Sequence, residues 1–258
     1  MPLKLMYITN SEDVAHIAEE AGVDRIFVDM EYIGKTDRQG GMDTVQSRHT
    51  ADDVRRLAQC LNKAELFVRV NPIHEKTDEY NSSKEEIDEA IEAGADLLML
   101  PYFKTAEEVQ TFVKYVNGRA KTVLLVETPE AAAIAEDLVQ IPGIDEMFIG
   151  LNDLSLGYGK NFMFELLLDG TVEELCLKFR KGGIPYGFGG IASLGKGMLP
   201  SEYVIKEHYR LGSACAILSR SFCRTGQVTD LKEIQKIFEI ELPKIRELEE
   251  ECRVHSEY

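Results

Sequence analysis

A chain of 258 residues fits one α/β barrel of about 250 residues or two smaller domains. It is 44% apolar and 29% charged, a globular balance, and its longest apolar runs (96–101, 122–126) fall far short of the ~18–20 residues of a membrane helix. Acidic side chains number 45 against 29 basic ones; the formal charge of −16 repels phosphate backbones and excludes nucleic acid as an expected partner, while a local cationic site can still hold an anion. The first residues lack a secretory signal's apolar segment and cleavage site. Cys60, Cys176, Cys215, Cys223 and Cys252 form no Cys-x-x-Cys pair, so free thiols in a reducing cytoplasm are expected.

Along the chain, strands and helices are predicted to alternate. A strand at 4–9 is followed by a helix at 12–21 capped by Asn10 or Ser11, then a strand at 25–29 and a helix at 51–62 with Thr50 as its cap. Next come a strand at 66–70 and a helix at 84–93, opened by Ser83 with Glu86 completing a capping box. The order continues with a strand at 97–100, a helix at 106–117 ended by Gly118, a strand at 122–127 and a helix at 130–140. A strand at 146–150, a helix at 172–182, a strand at 185–189, a helix at 202–211 and a strand at 214–218 follow. From 231 the chain reads as helix to near its end, with a break or kink at Pro243.

The joints Ala21-Gly22-Val23-Asp24, Ala93-Gly94-Ala95-Asp96 and Pro142-Gly143-Ile144-Asp145 repeat a helix stop before a strand start. Eight such units suit a single-domain (β/α)8 TIM barrel over 1–258, with a helical extension from about 228 to 258 that covers the barrel or a second subunit of a homo-oligomer. A doubly wound sheet is the alternative topology. The long connections, 31–50 and 71–83, both follow strands, where a barrel builds its active site.

Polar residues at strand C-termini therefore read as chemistry. These are Asp29 and Glu31 after the second strand, Arg69 ending the third, Glu127 ending the fifth, and Asn152 and Asp153 after the sixth. Glu127 closes the apolar run Val123-Leu124-Leu125-Val126, so its carboxylate needs a partner: a metal ion, or a salt bridge to Arg69. Asp153 lies one unit later and reads as a second metal ligand or as a helix or turn cap. Two carboxylates without nearby Cys or His suit a hard cation, Mg²⁺ or Mn²⁺. A paired-acid glycosidase would want aromatic surroundings, and the chain has no Trp. Gly150 lets backbone come close to a ligand, and the N–H groups around it could hold a carboxylate. The Arg69 fork suits a carboxylate or keto oxygen.

The stretch 125–131, the run 142–155 with its Gly-x-x-Asp-Leu turn, the joint at 93–96 with Leu100-Pro101, and the strand around Val68-Arg69-Val70 together resemble the HpcH/HpaI aldolase/citrate lyase family over roughly 4–222. The resemblance implies a (β/α)8 barrel, a divalent metal and a carbon–carbon bond made or broken beside the enolate of a 2-keto acid. By position it implies Glu127 and Asp153 as metal ligands and Arg69 as the clamp on the keto oxygen. The amides of Gly150, Leu151, Asn152 and Asp153 would hold the pyruvate carboxylate.

One position departs from the aldolase pattern Asp-x-Glu-His: this chain has Asp29-Met30-Glu31-Tyr32. A phenol with an ordinary pKa near ~10 is a poor base at neutral pH. Proton transfer is therefore expected from His49, in the same loop, or else from His74, Glu31, Tyr32 or a metal-bound water. The expected reaction is reversible cleavage of a 2-keto-4-hydroxy acid to pyruvate and an aldehyde. The alternatives are a lyase or synthase acting on a CoA thioester or citrate-like acid, and a non-catalytic keto-acid-binding homologue. No lysine sits in an apolar strand near its C-terminal end, which disfavours a Schiff-base aldolase. The glycine-rich run 187–197 is expected as a flexible lid or a phosphate-binding loop.

Overall fold

The computed structural model describes residues 1–34 and 47–255. Eight parallel strands close into one barrel, with the last paired to the first. They are β1 (Lys4–Ile8), β2 (Arg25–Asp29), β3 (Glu65–Arg69), β4 (Leu97–Leu100), β5 (Lys121–Val126), β6 (Glu146–Ile149), β7 (Tyr186–Ile191) and β8 (Cys215–Leu218). Around them run α1 (Glu12–Glu20), α2 (Ala51–Cys60), α3 (Ser83–Glu92), α4 (Ala106–Val116), the short α5 (Pro129–Ala133) and α6 (Ala135–Leu138), α7 (Leu151–Gly157), α8 (Glu165–Leu168), α9 (Thr171–Lys181) and α10 (Ser201–Leu211). The last is α11 (Leu231–His255). No helix among the described residues is long and apolar enough to cross a membrane.

The repeated joints do two jobs. Gly22, Gly94 and Gly143 have φ of 101°, 109° and 89°, the left-handed backbone that ends the preceding helix. The aspartate two residues on then accepts the second amide of a neighbouring strand: Leu5 N–H to Asp24 at 2.8 Å, Leu66 N–H to Asp96 and Thr122 N–H to Asp145, both at 2.7 Å. The sequence repeat is thus a repeated stitch at the N-terminal end of the barrel.

Strand periodicity sorts the lumen into layers. Arg25, Glu65, Lys121 and Glu146 stand at the N-terminal floor. Two residues further, Phe27, Phe67, Val123 and Phe148 join Met6, Leu97, Met99, Leu125 and Cys215 in an apolar middle, with Phe27 and Phe67 stacked at 4.8 Å. The next inward positions carry Asp29, Arg69, Glu127 and Gly150 at the C-terminal mouth. The outward faces meet the helices in a second, larger core. There α11 buries Phe238, Leu242 and Ile245 against α1 and α10, each worth ~1.5–3 kcal/mol. Glu249 of that helix accepts the Leu3 amide at 2.7 Å, tying the C-terminal helix to the first strand.

Four local expectations are corrected. The capping box of α3 is Ser82 with Glu85, one residue earlier than expected; that shift turns Glu86 and Ser83 inward, where both are buried. The helix expected at 130–140 divides at Ile134 into α5 and α6. Half of the glycine-rich run is strand: β7 continues through Gly189 and Gly190, its register against β8 shifts between Gly187 and Gly190, and a Cβ at Gly187 would meet the Cys215 carbonyl. Pro243 sits inside α11 without ending it.

Candidate active site

At the mouth, Asp29 and Arg69 are register partners on β2 and β3. The Arg69 fork closes on Asp29, Nε to Oδ1 at 2.8 Å and Nη2 to Oδ2 at 2.7 Å, with Glu31 Oε2 3.4 Å from Nε. Its main anchor is thus Asp29, not the Glu127 bridge weighed from sequence. Burial alone would lower the Arg69 pKa; the charges of Asp29 and Glu31 more than reverse this and keep the guanidinium charged. Nη1 has no partner among the described residues, so those donors face the mouth uncommitted.

His49 comes to the same strand end. The Asp29 amide donates to its Nδ1 at 3.0 Å. An N–H donor makes Nδ1 an acceptor, so the neutral ring carries its proton on Nε2. Glu31 is buried, and its amide donates to Asp29 Oδ1 at 3.2 Å. Tyr32 is half exposed, its ring 5.3 Å from that of Tyr80; burial and the charge of Glu86 push its phenol above the usual value. His74 is not part of this cluster. Its ring nitrogens lie 2.7 and 2.8 Å from the carbonyls of Pro72 and Asn81, so it closes its own loop.

Glu127 follows β5 on the inward face, buried, and accepts the Tyr102 amide on Oε1 at 3.0 Å. That amide is aimed by unusual backbone: Tyr102 has φ 48°, strained for a bulky residue. The glycine at 150 has a steric cause as well. A Cβ there would lie 2.7 Å from Glu127 Cβ and 2.9 Å from Oε2. Glu127 therefore leans over the backbone that opens α7. Asp153 is buried in the first turn of α7, where a carboxylate also favours the helix dipole, and takes a bond from the Asn152 amide group at 3.1 Å. Among the described residues no side chain caps α7 at Gly150, and the first amides of any helix point out of its N-terminal end. Glu127 and Asp153 are thus two buried carboxylates at the same end of the barrel, one packed over Gly150 and one in the first turn of α7, and carboxylate oxygens are the donor type that a hard divalent cation takes. Sequence reasoning missed Asn71 and Tyr102; only Pro101, which restricts its surroundings, marks the strained turn.

The model of the HpcH/HpaI aldolase/citrate lyase family matches residues 4–166. The chain belongs to this family. No curated protein matches the chain. Among solved structures, an HpcH/HpaI aldolase/citrate lyase family protein from Burkholderia cenocepacia aligns with TM-score 0.67 at 17% identity, covering 91% of this chain and 95% of its own. The HpcH/HpaI aldolase from Desulfitobacterium hafniense aligns with TM-score 0.65 at 15% identity, covering 91% and 93%. The citrate synthase SbnG aligns with TM-score 0.62 at 14% identity, covering 91% and 94%. At these identities the likeness is one of fold. The family is one of aldolases and citrate lyases, which supports a lyase-type enzyme here.

Proposed function

We infer that this protein is a metal-dependent carbon–carbon lyase that cleaves or forms a 2-keto-4-hydroxy acid, releasing or consuming pyruvate and an aldehyde. One observation carries the reading: Glu127 leans over Gly150 at the opening of the helix that holds Asp153, beside an arginine fork with donors to spare. Magnesium or manganese, held by Glu127 and Asp153, would supply Lewis-acid stabilisation of the developing enolate charge.

The chain's own residues do the rest. The first amides of α7 hold the substrate carboxylate, and the Nη1 donors of Arg69 hold the keto oxygen. In the cleavage direction the 4-hydroxyl proton leaves to a base. The C3–C4 pair moves toward the keto group, the aldehyde departs, and C3 then takes a proton to become the methyl of pyruvate. His49 with Nδ1 engaged, and Tyr32 with a raised pKa, both hold a proton at neutral pH and act as donors toward the aldehyde oxygen. The Glu31 carboxylate, beside Arg69, is the remaining acceptor.

The test is pyruvate release from a panel of 2-keto-4-hydroxy acids in the presence of Mn²⁺. Wild type should release pyruvate, and Glu31→Gln should lose ~10²–10⁴ in rate. If no keto acid is cleaved while a citrate-like acid or CoA thioester is, the pyruvate reading is wrong. If none of these is cleaved, catalysis itself is refuted.

A further inference from the structure

Glu86 of α3 is a buried carboxylate that the proposed chemistry does not use. It lies beneath the mouth and faces Asn71, the residue two beyond Arg69. The Asn71 side-chain amide donates to Glu86 Oε1 at 2.8 Å, and the Asn71 backbone N–H is shared between Oε1 at 3.2 Å and Oε2 at 3.3 Å. With its donors so committed, Asn71 turns its Oδ1 toward the loop after β2. There it accepts two successive amides, those of Tyr32 and Ile33, both at 2.9 Å. Asn71 is 1% exposed and Glu86 9%.

The carboxylate dictates which way the Asn71 amide points. An acceptor below requires the NH₂ to face down, so the oxygen faces up. The loop carrying Glu31 and Tyr32 leaves the barrel at this point, and the Tyr32–Tyr80 ring contact gives it only a lateral support. Burial pushes the Glu86 carboxyl up to about 7, even though the Asn71 donors favour its charged form. A buried acid at such a cost is consistent with a specific task for its acceptor oxygen.

We propose that Asn71 and Glu86 are positioning residues, a two-step hydrogen-bonded clamp that sets the Glu31–Tyr32 turn against Arg69 at the barrel mouth. Its catalytic consequence rests on the lyase reading above; its structural part does not. A turn shifted by about 1 Å would cost on the order of 10²-fold in rate without removing any group that touches substrate.

The experiment combines amide hydrogen exchange, read by mass spectrometry on peptides spanning 30–34, with steady-state kinetics on the metal-loaded enzyme. Asn71→Ala and Glu86→Ala should speed exchange of the Tyr32 and Ile33 amides by about tenfold or more. Both should lower kcat by about 10–100-fold with KM nearly unchanged. Glu86→Gln keeps an acceptor oxygen for Asn71 and should restore both protection and kcat, a rescue that general loss of packing would not show. Glu86→Ala carries the test alone if Asn71→Ala does not fold. Unchanged protection at 32 and 33 in the alanine variants overturns the clamp. Lost protection with intact kcat overturns its positioning role. If wild type cleaves no substrate, the lyase reading fails, and the exchange data alone decide the clamp.

Discussion

The barrel carries an inward arginine at each end, and the two are held differently. At the floor, Arg25 is fully buried and every guanidinium nitrogen is committed: Nε to Glu65 at 2.9 Å, Nη1 and Nη2 to Glu146 at 2.8 and 2.5 Å. Lys121 and Lys4 then share Glu65, at 2.5 and 3.8 Å. Three cations meet two carboxylates there, all of them on strands. At the mouth, Arg69 commits two of its three nitrogens, and Asp29, Glu31, Glu127 and Asp153 are buried at the same end among the described residues. Part of that set lies beyond the strands, on the loop after β2 and on α7. The same residue type thus does opposite work. With every donor used, Arg25 can only close the barrel; with donors spare and buried carboxylates at the same end, Arg69 stands where a ligand can be held.

Removing the floor arginine should have the largest effect. Arg25→Met strands Glu65 and Glu146 and should cost ~3–5 kcal/mol of stability, read as a fall of roughly 10 °C or more in Tm, with the folded fraction keeping its metal affinity. A variant as stable as wild type would break the contrast from that side. At the mouth, Arg69→Lys keeps the charge but loses the fork; kcat should drop by about 10²–10³, with a smaller change in Tm than Arg25→Met gives. A large fall in Tm with kcat intact would make Arg69 a second floor-type arginine.

The two ends should also titrate in opposite senses. Burial opposes ionisation of Glu65, but its bonds from Lys121 and Arg25 win and bring its carboxyl down to about 2. A depressed carboxylate contributes stability that is present above its unfolded pKa near ~4.5 and is lost as pH falls toward 2. Glu86 is shifted the other way, up to about 7, so its contribution is complete below ~4.5 and is lost as pH rises through 7. At ~1.4 kcal/mol per unit, the Glu86 effect is about 3 kcal/mol. For the partly solvated Glu65, screening reduces it to roughly 1–2 kcal/mol. Urea unfolding from pH 3 to 9 should therefore show Glu65→Gln flattening only the acid limb and Glu86→Gln only the limb between about 4.5 and 7. Any crossing of these effects would contradict the assignment.

The smallest effect concerns Tyr102. If its left-handed backbone is strained to aim an amide at Glu127, Tyr102→Gly should be about 1 kcal/mol more stable than Tyr102→Ala, since both lose the ring and only glycine relaxes. Equal stabilities would remove strain from the picture.

Much of this division was legible in the sequence. The Gly–Asp joints gave the units, and the strand-end residues gave Arg69, Glu127 and Asp153. The pattern charge–apolar–Phe–apolar–charge in Arg25–Asp29 and Glu65–Arg69 already contains both ends of the lumen, because side chains alternate with period two. Other features were beyond reach. A one-residue slip in the α3 capping box decides whether Glu86 faces solvent or core, and both Ser82-x-x-Glu85 and Ser83-x-x-Glu86 satisfy the motif. Asn71 and Tyr102 act through hydrogen bonds to or from backbone amides, which no residue pattern encodes. The acceptor state of His49 Nδ1 depends on where a long loop returns.

The most direct test of the contrast between the two ends is calorimetric titration with Mn²⁺ of wild type, Glu127→Gln, Asp153→Asn and the floor variant Glu65→Gln, each checked for folding. The mouth variants should lose affinity by about tenfold or more while Glu65→Gln binds as wild type does. Unchanged affinity in both mouth variants, or an equal loss in Glu65→Gln, would contradict a metal site at Glu127 and Asp153.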